Sequence, residues 1–339
     1  WPGGCFADQY DWRDGIGPRE KRPRRVNFWA DTGYKAPDSY KTLNSGPQKY
    51  EPNWFGTNEF MRFCKLIGAQ PYLAANVRSL DVRSYLEWME YCNAPAGLTT
   101  LSDQRSANGD RDPFNVTYWG VGNPGPDWNN EQRPGDNLYS DSVVALDADT
   151  GKLKWHFQFT PNDAYDYDAV QIPVLVDMPW KGVPSKLMLW ANRNGFFYVL
   201  DRVTGKFLSG TPFVKVNWAS GLDANGRPIQ TPQPLGSVTY PGNQGGTNWY
   251  PPSFSPRTNL FYFSAWENYG TIYRPEESEY KPGQLFVGGG FAVAAPAPGA
   301  PTIGIGRKGP IMLTGACCLH VSSLGSPGDR GLLEEASRA

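Results

Sequence analysis

The hydrophobic period of this chain changes once, and the change falls inside YWGVGNPGPD at residues 118–127. Upstream, Phe60, Phe63, Cys64 and Ile67 recur at helical spacing, with Thr57 placed to cap that helix and Gly68 to end it. PYLAANV (71–77) then reads as an apolar strand, Val82, Tyr85, Leu86 and Met89 mark one side of a second amphipathic segment, and VTYWGVG (116–122) is again a buried-type strand. Strands and helices in that rhythm predict βα units on a parallel sheet. Downstream the helical period is gone. SVVALDA, KLKWHFQF, SKLMLWANR, GFFYVLDR and LFYFSAW alternate with Gly, Pro and Asp-Thr-Gly turns, which predicts antiparallel β structure.

Two of the downstream segments repeat a pattern. ALDADTGKLKW (145–155) and VLDRVTGKFLS (199–209) share an apolar-Leu-Asp-x-x-Thr-Gly-Lys core, a strand-turn-strand unit of the size used in propeller blades, where each blade stacks its face on the next. Residues 292–339, opening with AVAAPAPGAPTIGIGRKGP, fit neither texture and read as a poorly ordered tail. The expected organisation is therefore 1–122, 123–291 and 292–339.

Composition excludes several classes. A formal net charge of −1 over 339 residues gives no electrostatic pull toward nucleic acid or acidic lipid and favours a neutral small molecule or glycan. Aromatic content of 14%, with 13 Trp, 38 Gly and 31 Pro, suits many short strands joined by tight turns. No apolar run reaches the length of a membrane helix, and Trp1, with neither an initiating Met nor a leader before it, reads as a point inside a longer protein. Cys5, Cys64, Cys92, Cys317 and Cys318 are sparse, odd in number and without CxxC spacing, so neither a zinc site nor a disulfide framework is indicated. With His156 and His320 the only histidines, a multi-histidine metal centre is excluded.

WPGGCFADQYDWRDGIGPREKRP (1–23), FGTNEFMRFCKLIGAQPYLAANV (55–77), EWMEYCN (87–93), RSANG (105–109) and YWGVGN (118–123) together resemble the retaining (β/α)8-barrel α-L-arabinofuranosidases. That resemblance implies a truncated barrel fragment over residues 1–122, with Cys5 and Asn123 matching positions that line the sugar pocket. In the family a Glu directly after the strand-end Asn is the general acid and base. Here that position is Pro124, whose side chain can neither give nor accept a proton. A retaining glycosidase needs two carboxylates about 5 Å apart, and the change to β pattern arrives before a barrel strand can supply the second.

GNPGPDWNNEQRPGDNLYSDSVVALDADTGKLKWHFQFTPNDAYDYDA (122–169), ANRNGFFYVLDR (191–202), GGTNWYPPSFSP (245–256) and PGQLFVGGGF (282–291) resemble the pyrroloquinoline-quinone (PQQ) alcohol dehydrogenases. The resemblance implies a mainly β fold, a partial eight-bladed quinoprotein propeller over residues 123–291. It also implies PQQ with calcium or a lanthanide ion, an alcohol as substrate, an electron acceptor such as a cytochrome c, and a periplasmic location. Asn123 and Asp166 match metal ligands, Asp166 also the base that takes the alcohol proton, and Asp168 the further carboxylate of lanthanide-using members. Arg193 matches the cation that hydrogen-bonds the quinone oxygens, and Asn248 and Trp249 a segment that closes over the cofactor. Oxygen donors suit calcium-like ions, and a third anionic ligand suits a trivalent one.

Each motif also has a plain alternative: Asp163, Asp166 and Asp168 as solvated loop carboxylates, Asn-Pro-Gly as turn chemistry, and Arg193 as an exposed hairpin charge. Their joint spacing favours the cofactor site. In the family an adjacent cysteine pair precedes the Asn-Pro-Gly loop, whereas Cys317 and Cys318 follow it, so that match is read as coincidence. Upstream blades carrying another metal-binding Glu and the floor under PQQ are missing from the matched region. Both resemblances meet at YWGVGN without a linker, which reads as a fusion of two incomplete domains with no activity of its own.

Overall fold

The computed structural model describes residues 1–2, 6–7, 10–26, 50–76, 80–147, 149–280, 286–294, 311–313 and 316–320. Strand outweighs helix among them. The chain divides into two compact units, Trp1–Gly122 with Val143–Trp155, and Asn123–Ser142 with the chain from His156 onward. The first of the two repeats thus packs with the first unit.

In the first unit, β1 (Arg25–Val26) and β2 (Tyr50–Glu51) form a short antiparallel pair. They precede α1 (Thr57–Ile67), β3 (Tyr72–Ala75), α2 (Val82–Asn93), α3 (Thr100–Ala107) and β4 (Tyr118–Val121). β3 and β4 run parallel, Tyr72 opposite Tyr118 and Ala75 opposite Val121. β5 (Ser142–Leu146) and β6 (Leu153–Gln158) extend the sheet to the order β3-β4-β5-β6. Among the described residues this parallel pair does not close into a barrel.

The cap of α1 is Gly56, whose N–H donates to Glu59 Oε2 at 2.9 Å; Thr57 is the first helical residue, and its hydroxyl accepts from Trp88 Nε1. Gly68, at φ 68°, ends the helix as expected. The expected apolar faces are buried in part: Cys64 is buried and Phe60, Tyr85 and Met89 pack against the core, but Phe63, Ile67 and Leu86 are exposed, and Met61, Trp88, Tyr91 and Cys92 are buried instead. Ring packing decides the orientation. Trp88 stacks on Trp12 at 6.3 Å and meets Trp119 edge-on at 5.6 Å, burying far more apolar area than Leu86 could. α3, not anticipated from its polar sequence, is fixed by the Thr99 cap and by Arg105, which is fully buried and donates to the carbonyls of Tyr91, Ala94, Asp110 and Arg111.

In the second unit, β7 (Val174–Trp180), β8 (Val183–Ala191), β9 (Phe196–Asp201) and β10 (Phe207–Pro212) form an antiparallel meander of order β10-β9-β8-β7. Its central strands are buried on both faces, with Leu187, Leu189, Phe197 and Val199 joining Phe213, Phe261 and Phe263 in one core. β11 (Ala219–Leu222) pairs with β12 (Pro228–Gln230), and β13 (Ser253–Ser255) with β14 (Leu260–Phe263). β15 (Thr271–Pro275) pairs antiparallel with β16 (Gly289–Val293).

Within the segment expected as a tail, β17 (Ile311–Leu313) and β18 (Ala316–His320) pair with each other, and β18 runs parallel to β14 with Cys317 and Cys318 in register with Leu260 and Phe261. Residues 295–310, 314–315 and 321–339 of that segment lie outside the described residues.

The two repeats make the same turn. Asp147 N–H donates to Lys152 O and its carboxylate accepts from Thr150 N–H; Asp201 N–H donates to Lys206 O and its carboxylate accepts from Thr204 N–H. Gly151 and Gly205 close the turns at φ 66° and 73°, a left-handed conformation that a Cβ disfavours.

Candidate cofactor and metal site

Four loops of the second unit build the site, and each is shaped by its own polar side chains. In the loop after β6, Asp163 accepts from Tyr165 N–H at 2.9 Å and Tyr167 N–H at 2.7 Å, winding the chain so that Asp166 sits at φ 64°. That conformation is uncommon for a residue with a Cβ, though Asp tolerates it better than most. In the β8–β9 turn, Asn192 and Asn194 each accept a backbone N–H two residues on, leaving Arg193 to project between them. Arg193 N–H donates to Gln171 Oε1, and Gln171 Nε2 donates to Asp168 O, so one glutamine ties turn to acidic loop.

The Arg193 guanidinium divides itself between carboxylates. Nη1 donates to Asp168 Oδ2 at 2.5 Å and Nη2 to Asp166 Oδ2 at 3.2 Å, while Nη2 also donates to Asn243 O. Asn123, following β4, donates its N–H to Asp168 Oδ1 at 2.8 Å. Its side-chain amide faces the same carboxylates: with nitrogen turned toward them it donates to Asp168 Oδ1 at 2.7 Å and Asp166 Oδ1 at 3.3 Å. With oxygen turned toward them, the amide oxygen lies 2.7 Å from Asp168 Oδ1 and 3.3 Å from Asp166 Oδ1, and all three are donors of the kind a calcium-like ion takes.

Asn123, Asp163, Asp168 and Arg193 are each no more than 2% exposed, and Asp166 is 9% exposed. The alternatives of solvated loop carboxylates and an exposed hairpin charge are therefore not what the chain adopts. Asn248 is buried, with Nδ2 on Gln244 O and Oδ1 accepting Trp249 N–H, whereas the Trp249 ring is largely exposed and leans on Tyr250. The structure thus gathers Asn123, Asp166, Asp168 and Arg193, whereas the bonds of Asn248 and Trp249 run to Gln244 and to each other. Cys5 lies outside the described residues.

Sequence reasoning missed several members. Gln171 and Asn243 are neutral amides without a pattern; near the latter, Gly245 is held at φ 79° where a Cβ would lie 2.7 Å from Arg193 Cβ. Asp141 is fully buried, and neither of its oxygens finds a hydrogen-bond partner among the described residues. Burial first, then the charges of Asp163 and Asp168, pushes its carboxyl well above the usual range. Burial also pushes Asp163 up to about 6, against the pull of the Tyr165 and Tyr167 amides and of Arg133.

Among the described residues of this unit five carboxylates, at Asp127, Asp141, Asp163, Asp166 and Asp168, are buried, with one buried guanidinium at Arg193 and partly buried ones at Arg133 and Arg202. A buried excess of anion is settled by protons or by cations, since isolated charge in a low dielectric is costly. Two carboxylates and one amide are the right chemistry for a hard cation. Among the described residues no three His, Cys, Asp or Glu side chains gather as a metal cluster, so the amide of Asn123 is needed to complete a donor set.

Comparison with known proteins divides the chain similarly. Residues 109–234 match the β-propeller domain of glucose, ethanol and alcohol dehydrogenases, and residues 1–154 match the α-L-arabinofuranosidase 1 domain. The quinoprotein alcohol dehydrogenase PedH of Pseudomonas putida is 44% identical over 191 residues, covering 53% of this chain and 32% of its own length. The 1-butanol dehydrogenase (cytochrome c) of Thauera butanivorans is 42% identical over 179 residues, covering 50% of this chain and 26% of its own. The chain thus spans a third or less of these relatives. The arabinofuranosidase structure from Xanthomonas axonopodis is 44% identical with a TM-score of 0.30, covering 36% of this chain and 22% of that one. This chain joins an arabinofuranosidase-like segment to a quinoprotein alcohol dehydrogenase-like segment, and the two matches overlap over residues 109–154.

Proposed function

We propose that residues 123–291 are a piece of the cofactor-binding propeller of a PQQ-dependent alcohol dehydrogenase, with Asn123, Asp166 and Asp168 as ligands of a calcium or lanthanide ion and Arg193 as the quinone-binding cation. The observation that carries this reading is the burial of those four residues, from three loops far apart in sequence, within hydrogen-bond distance of one another. PQQ bound there supplies a carbonyl carbon that takes hydride or its equivalent from an alcohol, made more electrophilic by the ion.

The protein's own groups divide the remaining work. Asp166 has the more open carboxylate, with a side chain 12% exposed against 1% for Asp168, which suits Asp166 as the base that removes the alcohol proton and Asp168 as a sealed ligand. Arg193 pairs with both carboxylates and places positive charge where a reduced ring gathers electrons. Asn248 and Trp249 close over the ring in this reading. The parent enzyme is periplasmic and passes electrons to a cytochrome c.

Residues 1–122 are read as a truncated (β/α)8-barrel fragment in which Pro124 replaces the acid/base Glu, with no glycosidase activity. The overlap of the two family matches supports a fusion of incomplete domains; one uninterrupted DNA read through codons 110–130 tests it, and complete domains in a single frame on either side overturn it.

The cofactor reading is tested by adding PQQ with calcium or lanthanum to the full chain. Saturable quenching of Trp fluorescence, weakened in Asp168→Ala, is expected. Absence of quenching with either ion overturns the assignment, and release of nitrophenol from an aryl arabinofuranoside contradicts the reading of the first unit.

A further inference from the structure

The loop that delivers Asn123 is fastened on its outer side by a segment about which its motif says nothing. Trp128 N–H donates to Val287 O at 3.0 Å, and Asn129 Nδ2 to Glu276 O at 3.0 Å. Gln132 and Ser278 exchange bonds, Gln132 Nε2 donating to Ser278 O at 2.9 Å and Ser278 N–H to Gln132 Oε1 at 3.2 Å. The Trp128 ring meets Phe291 edge-on at 5.1 Å. Gly288, at φ 65°, comes so close that a Cβ there would lie 2.7 Å from Pro126 Cβ and 2.9 Å from Asn129 Cβ. All these partners sit on β16 or beside the Pro275–Gly289 end of the β15–β16 pair.

We propose that this end of the β15–β16 hairpin, through Glu276, Ser278, Val287 and Gly288, is a positioning element that sets cation affinity by fixing where Asn123 stands. Between Asn123 and the first strapped residue, Trp128, the chain reads Pro124-Gly125-Pro126-Asp127, with two of four φ angles locked by proline rings. So short and stiff a connection transmits a displacement of Pro126 to Asn123. Arg133 holds the loop from within, donating to Pro126 O at 3.0 Å and Asp127 O at 3.3 Å, so the strap is the restraint on the other side. An oxygen ligand moved by about 1 Å leaves the coordination shell of an ion with bonds near 2.4 Å. The proposal rests on the cation reading given above.

The test uses the full chain and terbium, whose luminescence is sensitised by nearby aromatic rings. Gly288→Ala is compared with Gly236→Ala, which bears the same kind of positive φ, 81°, with nothing within 4 Å of the added Cβ. Both carry the backbone cost of a left-handed alanine, and only Gly288→Ala pushes on the Asn123 loop. The expected result is a terbium Kd raised about tenfold or more in Gly288→Ala and changed less than about twofold in Gly236→Ala. Gln132→Ala, a milder change at an exposed residue, is expected to raise Kd about threefold, and it decides the matter if Gly288→Ala does not fold. Wild-type affinity in a folded Gly288→Ala and in Gln132→Ala, or equal losses in the two glycine variants, overturns the proposal. Failure of the wild type to bind terbium, or wild-type affinity in Asn123→Ala, overturns the cation reading instead.

Discussion

Among the described residues, Arg105 of the first unit and Arg193 of the second are each buried almost completely, and the two are used differently. Arg105, 0% exposed, spends its donors on four main-chain carbonyls. Arg193, 2% exposed, spends two of its donors on the carboxylates of Asp166 and Asp168. A guanidinium on carbonyls ties neighbouring backbone segments together and brings no ionisable partner with it. A guanidinium on two carboxylates makes a charge cluster whose balance can be altered by a proton, a metal ion or an anionic ligand. The first arrangement reads as structure and the second as a site, although both residues are equally hidden from solvent.

The sharpest way to break that distinction is Arg193→Met. The substitution takes the guanidinium from two neighbouring buried carboxylates, and the second unit should lose about 3–5 kcal/mol in chelator-treated protein. Lanthanum should restore much of that loss in a thermal melt; a melt indifferent to lanthanum places Arg193 with the structural residues. Arg105→Met should cost about 2–4 kcal/mol by orphaning carbonyls in the first unit, with no rescue by any cation and an unchanged terbium Kd.

A smaller effect separates the units by pH. Burial lifts the folded-state pKa of Asp163 from its ordinary 3.8 to about 6. Between those values the folded protein holds a proton that the unfolded chain has released, so cation-free stability falls as pH rises through the window and the loss is complete above about 6. Its ceiling is about 3 kcal/mol, from about 1.4 kcal/mol per pKa unit. Urea melts of chelated protein at pH 4.5 and 7 should show it, and Asp163→Asn should flatten the slope. Smallest is the cost of alanine at Gly151 or Gly205, about 1 kcal/mol each and alike in the two repeats, since both sit in the same left-handed turn. Unequal losses there mean that the two turns, though drawn from one pattern, are held by different surroundings.

What could be read ahead of the structure was local or carried by spacing. The Asp-x-x-Thr-Gly turns are written within six residues, because Asp147 and Asp201 bond their own following amides. The parallel β3–β4 pair follows from two apolar runs separated by helices. Asn123, Asp166, Asp168 and Arg193 were picked out by their places in long motifs. Helix faces were legible only in part, and second partners were not. The choice between Leu86 and Trp88 as the inward residue of α2 depends on Trp12, more than seventy positions away, and Arg105 looks like any surface arginine until the carbonyls around it are known. Gln171, Asn243 and Asp141 carry no pattern at all, because their roles arise only when separate loops meet.

The peptide passes between the two units three times, at Gly122/Asn123, Ser142/Val143 and Trp155/His156. No single scission can therefore release an intact half. An expression clone stopped at codon 122 would lack Val144 and Leu146, which fill the first core beside Trp119, and one begun at codon 123 would carry those two side chains with nothing to cover them. On the ribosome, likewise, the amino-terminal unit cannot finish packing until residue 155 has cleared the exit tunnel, by which time the acidic loop is already being synthesised.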